Sequence, residues 1–132
     1  MKVVARRRSG YAHEVETDTG HTIVVDEPES EGGNDEGPQP TRLLCASLAA
    51  CIAITIEMYA DRKGWDVGEV EVEVEADLVG TGGGRSKFEV LVKLPKALDD
   101  EQEKRLMVVA GKCPVHRALA KEVEFNGRVE RF

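Results

Sequence analysis

The residues best suited to chemistry in this sequence are three cysteines, Cys45, Cys51 and Cys113, together with His116. A thiol reacts as the thiolate. A seat at a helix N-terminus, where backbone N–H groups and the helix dipole favour negative charge, is one way to lower its pKa. Cys113 stands directly before Pro114, the residue favoured at a first helical position, so a short helix is expected from Pro114 to about Glu122 with Cys113 at its start. The same place also suits a small buried hydrophobe beside a helix break, and position alone supports both readings. Cys51 lies deep in an apolar run, where packing in the core is the expectation and burial raises a thiol's pKa. Cys45 precedes Cys51 by six residues, about 600° of helical rotation, so the two side chains diverge and form no local disulfide. Core packing is the better reading for Cys45.

Cys113 and His116 form a Cys-x-x-His pair that could supply two metal ligands. No Cys-x-x-Cys, His-x-x-x-His or carboxylate cluster accompanies it, so no metal site is expected. His13 and His21 fall on expected strands or turns and read as exposed polar residues. The glycines of VGTGGGRSK lack the spacing and the Lys-Ser/Thr ending that cradle a phosphate, so no nucleotide cofactor is expected and the segment reads as a mobile hairpin tip.

These residues must be held by a fold, and the pattern along the chain outlines one. Short strands are expected at Val3 to Ala5, Tyr11 to Glu16 and Thr22 to Asp26, separated by Arg-Arg-Arg-Ser-Gly and by a turn ending at Gly20. From Asp26 to Gly37 the segment DEPESEGGNDEG holds six acids and no base, and reads as a solvated loop. Pro38 and Pro40 stop it, Thr41 can cap, and a long helix is expected from Arg42 to about Lys63, ended by Gly64. Between Leu43 and Ile56 the only polar side chains are Ser47 and Thr55, so this helix is apolar nearly all round and needs cover on every side. One thin sheet covers one side. A second subunit is the economical source of the rest, which points to a homodimer.

Glu69 to Leu78 alternates acid with aliphatic, and Phe88, Val90, Val92 and Leu94 repeat the period of two, so the pair is expected to form an antiparallel hairpin. Asp99 with Gln102 reads as a capping pair opening a helix that carries Leu106, Val109 and Ala110 before Gly111 interrupts it. Val123 to Phe132 reads as a last strand. The fold class is α+β in a single domain over 1–132, with antiparallel sheets packed on two main helices.

Composition excludes several classes of function. The chain of 132 residues carries 18 Lys and Arg against 25 Asp and Glu, a net charge of −7 that repels phosphate backbones and anionic lipid headgroups, so neither nucleic acid nor a membrane surface is an expected partner. The longest uncharged apolar run, Leu43 to Ile56, is 14 residues, short of the roughly 17 to 25 that cross a bilayer. An odd number of cysteines and the absence of an apolar core in MKVVARRRSG give no disulfide framework of a secreted protein, and the expected location is the reducing cytoplasm.

Two segments, GPQPTRLLCASLAACIAITIEMYADRKG and GKCPVHRAL, resemble the OsmC/Ohr family, the osmotically induced and organic-hydroperoxide-resistance proteins, and the order of elements resembles it over nearly the whole chain. The resemblance implies an OsmC-like α+β fold, an intertwined homodimer with two long apolar helices at its centre, and no cofactor. It also implies that the central-helix cysteine attacks an organic hydroperoxide, becomes a sulfenic acid, and condenses with the second cysteine into a disulfide that a cellular dithiol reduces. By motif position those catalytic roles fall on Cys51 and Cys113, which reverses the ranking that burial gives Cys51.

The sequence departs from the family pattern at the groups that activate the cysteine. Members carry a Glu at or shortly after the Pro that opens the long helix, and a distant Arg. Here Thr41 and Arg42 follow Pro40, and the place of the Arg falls near Tyr11, with Arg6, Arg7 and Arg8 as the nearby arginines. The reading from another class is a non-enzymatic dimer whose apolar helix lines a pocket for a small apolar ligand, its cysteines merely packed.

Overall fold

A computed structural model of the chain describes residues 1–80 and 82–131. Its contacts divide it into two compact units, Met1–Ala46 and Ser47–Phe132.

In the first unit, β1 (Val3–Ser9), β2 (Ala12–Thr17) and β3 (Thr22–Val25) form an antiparallel sheet in that order. The arginine run expected as a turn is part of β1, with a bulge between Arg7 and Ser9. An exposed edge accepts such charges because the side chains leave the sheet. Arg6 reaches Glu16 at 3.0 Å, Arg7 Nε donates to the Gly10 carbonyl at 2.8 Å, and Arg8 lies 4.0 Å from Glu14.

Most side chains of the acidic loop are exposed, as its composition suggests, but that of Asp26 is not. Asp26 is 1% exposed and gathers the loop around its carboxylate, accepting the backbone N–H groups of Glu27 (2.8 Å), Asn34 (3.2 Å) and Glu36 (3.1 Å). A single 3-10 turn, Glu29–Glu31, lies within it. Gly33 is needed for closure, since a Cβ there would stand 1.9 Å from the Glu27 carbonyl oxygen. Burial opposes the charge on Asp26, but the N–H groups of Glu36, Glu27 and Asn34, with His13 nearby, outweigh it and hold the carboxyl below its usual range. A depressed folded pKa gives stability that is full above the unfolded value of about 3.9 and lost as pH falls through the folded one. Asp26→Ala, which leaves three loop donors without their acceptor, is therefore expected to lower the thermal midpoint by several degrees at pH 7, with the difference from wild type shrinking in acid.

Helix α1 (Pro40–Lys63) opens two residues earlier than its pattern implied, with Pro40 itself in the first turn rather than before a Thr41 cap. It ends at Gly64, whose φ of 68° is a left-handed conformation suited to glycine. The second unit takes most of α1 together with β4 (Glu71–Asp77), β5 (Lys87–Lys93), α2 (Asp100–Ala110) and α3 (Pro114–Leu119). The hairpin forms as its alternation required, Val72 opposite Val92 and Val74 opposite Val90, although Thr81 at its tip lies outside the described residues. The carboxylates of Glu71 and Glu73 meet Lys93 on the outer face. The capping pair is reciprocal: Asp99 accepts the Gln102 N–H and the Gln102 side chain accepts the Asp99 N–H.

The core of this unit is a stripe on α1 at i, i+4 spacing, Leu48, Ile52, Ile56 and Ala60, packed with Leu106, Ala110 and Cys113 and covered by the inner face of the hairpin, Val72, Val74, Phe88, Val90 and Val92. By length and composition alone α1 would also pass for a membrane-crossing helix, more than the 14-residue uncharged run suggested, but this stripe is protein core. Off the stripe it is open, with Ile54 53% and Met58 57% exposed.

The expected last strand does not form over the described residues 123–131, and Phe132 lies outside them. Val123, Phe125 and Val129 are 58%, 88% and 94% exposed, and among the described residues the segment pairs with an edge of neither sheet, alternation being necessary for a strand but not sufficient. β4 and β5 pair with each other alone. The short helix likewise stops at Leu119 rather than near Glu122.

Candidate functional site

The second unit brings Cys51 and Cys113 together. Cys51 stands on α1 between the buried Leu48 and Ile52, turned far enough from the stripe to be half-buried rather than sealed in the core as its surroundings in sequence implied. The hydroxyl of Thr55, one turn on, donates to the Cys51 carbonyl at 2.6 Å. Gly111 ends α2, and the chain then turns so that Cys113 becomes the N-cap of α3, with Pro114 at the first position.

Cys113 is 0% exposed, so both expectations for it hold at once: it caps a helix and it is buried. Its Sγ accepts the backbone N–H of His116 at 3.2 Å. Cys51 packs against the core cluster that contains Cys113, and its side chain interacts with the Cys113 thiol. Burial pushes the Cys113 thiol up, the contact with Cys51 adds to this, and the N–H of His116 pulls the other way without overcoming them. The lowering expected of a helix N-terminus is thus outweighed by desolvation. Of two thiols in contact, the buried one is the better placed to keep its proton and the more open one to meet a reactant.

His116 does not turn its ring to the cysteine as a Cys-x-x-His ligand pair would. Its Nδ1 lies 3.1 Å from the Gly111 carbonyl. The ring borders a cavity of about 210 Å³ whose other walls are Leu48, Phe88, Val90, Leu119 and Ala120. Leu48 is one turn before Cys51 and His116 one turn after Cys113, so each cysteine's own helix contributes a wall.

Cys45 is half-buried, free, and belongs to the first unit. That unit also carries an apolar cavity of about 320 Å³, bordered by Ala5, Val15, Val25 and Leu43 with Tyr11 and His13. His13 Nδ1 donates to the Tyr11 carbonyl at 2.8 Å. Arg42 Nε donates to the Gln39 side chain at 3.2 Å, so the residue beside the missing Glu binds an amide and not a carboxylate.

One cluster had no signal in the sequence. Arg105 Nε donates to the Tyr59 hydroxyl at 2.9 Å, Lys63 stands 5.6 Å from the ring centroid, and Trp65 meets it edge to face at 5.7 Å. The Arg105 hydrogen bond, against burial and with Lys63 and Lys112 helping, holds the Tyr59 phenol below its usual range. The partners are 46 residues apart, and only the packing of α2 on α1 joins them.

Comparison with known proteins adds a lineage to this geometry. The model of the family described as OsmC-like protein matches residues 32–127. An uncharacterized protein of Haloferax volcanii is 29% identical over 93 residues, 69% of this chain and 70% of that one. Among solved structures, a proposed osmotic stress induced and detoxification response protein of Psychrobacter arcticus superposes with a TM-score of 0.77 at 23% identity, covering 89% of this chain and 86% of that. The organic hydroperoxide resistance protein OhrB of Bacillus subtilis does so with a TM-score of 0.58 at 25% identity, covering 89% and 90%.

Proposed function

This chain belongs to the OsmC-like protein family, and from that premise we propose that it is a cofactor-free, cytoplasmic thiol peroxidase that reduces organic hydroperoxides through Cys51 and Cys113. The observation that carries the reading is the contact between a half-buried thiol and a sealed one in a shared apolar setting. The Cys51 thiolate attacks the terminal peroxide oxygen, the O–O bond breaks, and the alcohol leaves with a proton while Cys51 becomes a sulfenic acid. The Cys113 sulfur then displaces that oxygen as water, forming a disulfide. A dithiol reduces the disulfide by exchange and is itself oxidised, closing the cycle. Neither the usual Glu nor a neighbouring Arg serves in this account, so the thiolate depends on local donors.

The test is consumption of an alkyl hydroperoxide by the reduced protein in the presence of excess dithiothreitol, against protein whose thiols have been alkylated. Turnover lost on alkylation supports the reading; equal consumption by both overturns it. The competing reading, a binder of small apolar ligands, draws on the 320 Å³ cavity of the first unit. It would leave all three thiols inert toward peroxide.

We propose also that the protein is a homodimer. Ile54 and Met58 leave α1 without cover along one side, and a second copy supplies cover of the same chemistry. Sedimentation at micromolar concentration is expected to give twice the chain mass, and a folded monomer there would remove the basis of the proposal.

A further inference from the structure

We propose that Lys63, Arg105 and Lys112 form a docking surface for the protein that reduces the Cys51–Cys113 disulfide, and that this partner is a dithiol protein with acidic residues around its thiols. The inference rests on the peroxidase reading above and names the kind of partner that completes its cycle. The exchange it serves is balanced. A thiolate of the partner attacks the Cys51 sulfur, the sulfur–sulfur bond breaks and Cys113 leaves as thiolate; the partner's second thiol then displaces Cys51, so the partner's dithiol becomes a disulfide as this one is reduced. Cys51 is the sulfur attacked because Cys113 is 0% exposed.

The chain carries 25 acidic residues against 18 basic, yet these three exposed cations have no carboxylate within 4.0 Å among the described residues. They gather on one ring. Arg105 Nε donates to the Tyr59 hydroxyl at 2.9 Å with the guanidinium carbon 5.4 Å from the ring centroid, Lys63 Nζ is 5.6 Å from the centroid, and Lys112 acts on the same phenol through its charge. The bond to Tyr59 uses Nε alone, so the terminal nitrogens of Arg105 keep their donors for a carboxylate. Val108, one turn along α2 from Arg105, is 54% exposed and gives the patch the apolar spot that an interface surrounds with charge. The carboxylates of Glu57, Asp61 and Asp66 border a separate cleft to which none of the three cations contributes.

Position ties the patch to the thiols. Tyr59 follows Cys51 by two steps of four residues, about 12 Å along α1, and both pack against the core cluster that contains Cys113. Lys112 directly precedes Cys113. A small dithiol such as dithiothreitol is too short to bridge that gap, whereas a protein can present its dithiol at one place and its carboxylates at the other. On a chain of net charge −7, a patch of opposite sign turns an acidic partner toward this side.

The experiment follows reduction of the disulfide form of the full chain, by intact mass after acid quench, with dithiothreitol and with three synthetic dithiol peptides. The peptides share one Cys-Gly-Pro-Cys core and carry glutamates, serines or lysines on both sides. The glutamate peptide should reduce the wild type roughly 10-fold faster than the lysine peptide at low salt, the serine peptide falling between, and the gap should close in about 0.5 M salt. Lys63→Gln with Lys112→Gln should remove most of the gap, and Lys63→Glu with Lys112→Glu should reverse it, while dithiothreitol reduces all three proteins alike. Equal rates with the glutamate and lysine peptides, a gap that survives charge reversal, or the same loss with dithiothreitol would overturn the proposal. The disulfide is made in parallel with an alkyl hydroperoxide and with diamide. If diamide forms it and the hydroperoxide does not, the peroxidase reading falls while the peptides still judge the docking surface; if neither forms it, both fall.

Discussion

Cys51→Ser is expected to lose hydroperoxide turnover entirely, a fall of roughly 10⁴-fold or more toward the rate of buffer alone, while remaining folded. The attacking atom must be a thiolate, and a serine hydroxyl neither ionises near neutral pH nor forms the sulfenic acid from which the cycle continues. Little else should change, since Cys51 is half-buried and its thiol is partnered chiefly by Cys113. Steady-state peroxide consumption with dithiothreitol measures the loss, and a far-ultraviolet spectrum measures the fold. The rival assignment exchanges the roles, with Cys113 attacking first from its helix N-terminus. Its complete burial argues against that, because the peroxide would have to reach a thiol that no solvent touches and whose ionisation burial disfavours. A Cys51→Ser protein that keeps turnover would settle the matter for Cys113.

Cys113→Ser is expected to fail differently. Its hydroxyl still accepts the His116 N–H and caps α3, so the site keeps its shape. One equivalent of peroxide should oxidise Cys51 at the wild-type rate, and a second should drive it to sulfinic acid, because no neighbouring thiol traps the sulfenate. Intact mass then shows a two-oxygen adduct on Cys113→Ser and none on the wild type treated in the same way. The same adduct on Cys51→Ser, with none on Cys113→Ser, would reverse the assignment.

What the sequence showed of this site depended on how local each feature is. The hairpin of β4 and β5 was legible because Glu and Val alternate without interruption, and α2 because its capping pair is three residues apart. The long helix was bracketed by Pro40 and Gly64, its ends written in residues that cannot continue it. Asp26 was not legible, since an acid among acids reads as solvated until three backbone donors are folded onto it. The arginines of β1 read as a turn because charge masks an exposed strand edge. The last strand from Val123 failed for the opposite reason: its alternation is clear, but pairing belongs to a partner edge and not to the segment. At the site itself, the cap at Cys113 was visible beside Pro114, whereas the meeting of Cys113 with Cys51 across 62 residues of chain, and the greater burial of the former, arise only from packing α3 against α1.

The central claim is that these two thiols act as one redox pair, and peptide mapping of the oxidised protein tests it most directly. Reduced wild type treated with one equivalent of an alkyl hydroperoxide, alkylated and digested, should yield one disulfide, Cys51 to Cys113, with Cys45 recovered as the alkylated thiol. Recovery of all three cysteines alkylated, or of a bridge that includes Cys45, would contradict it.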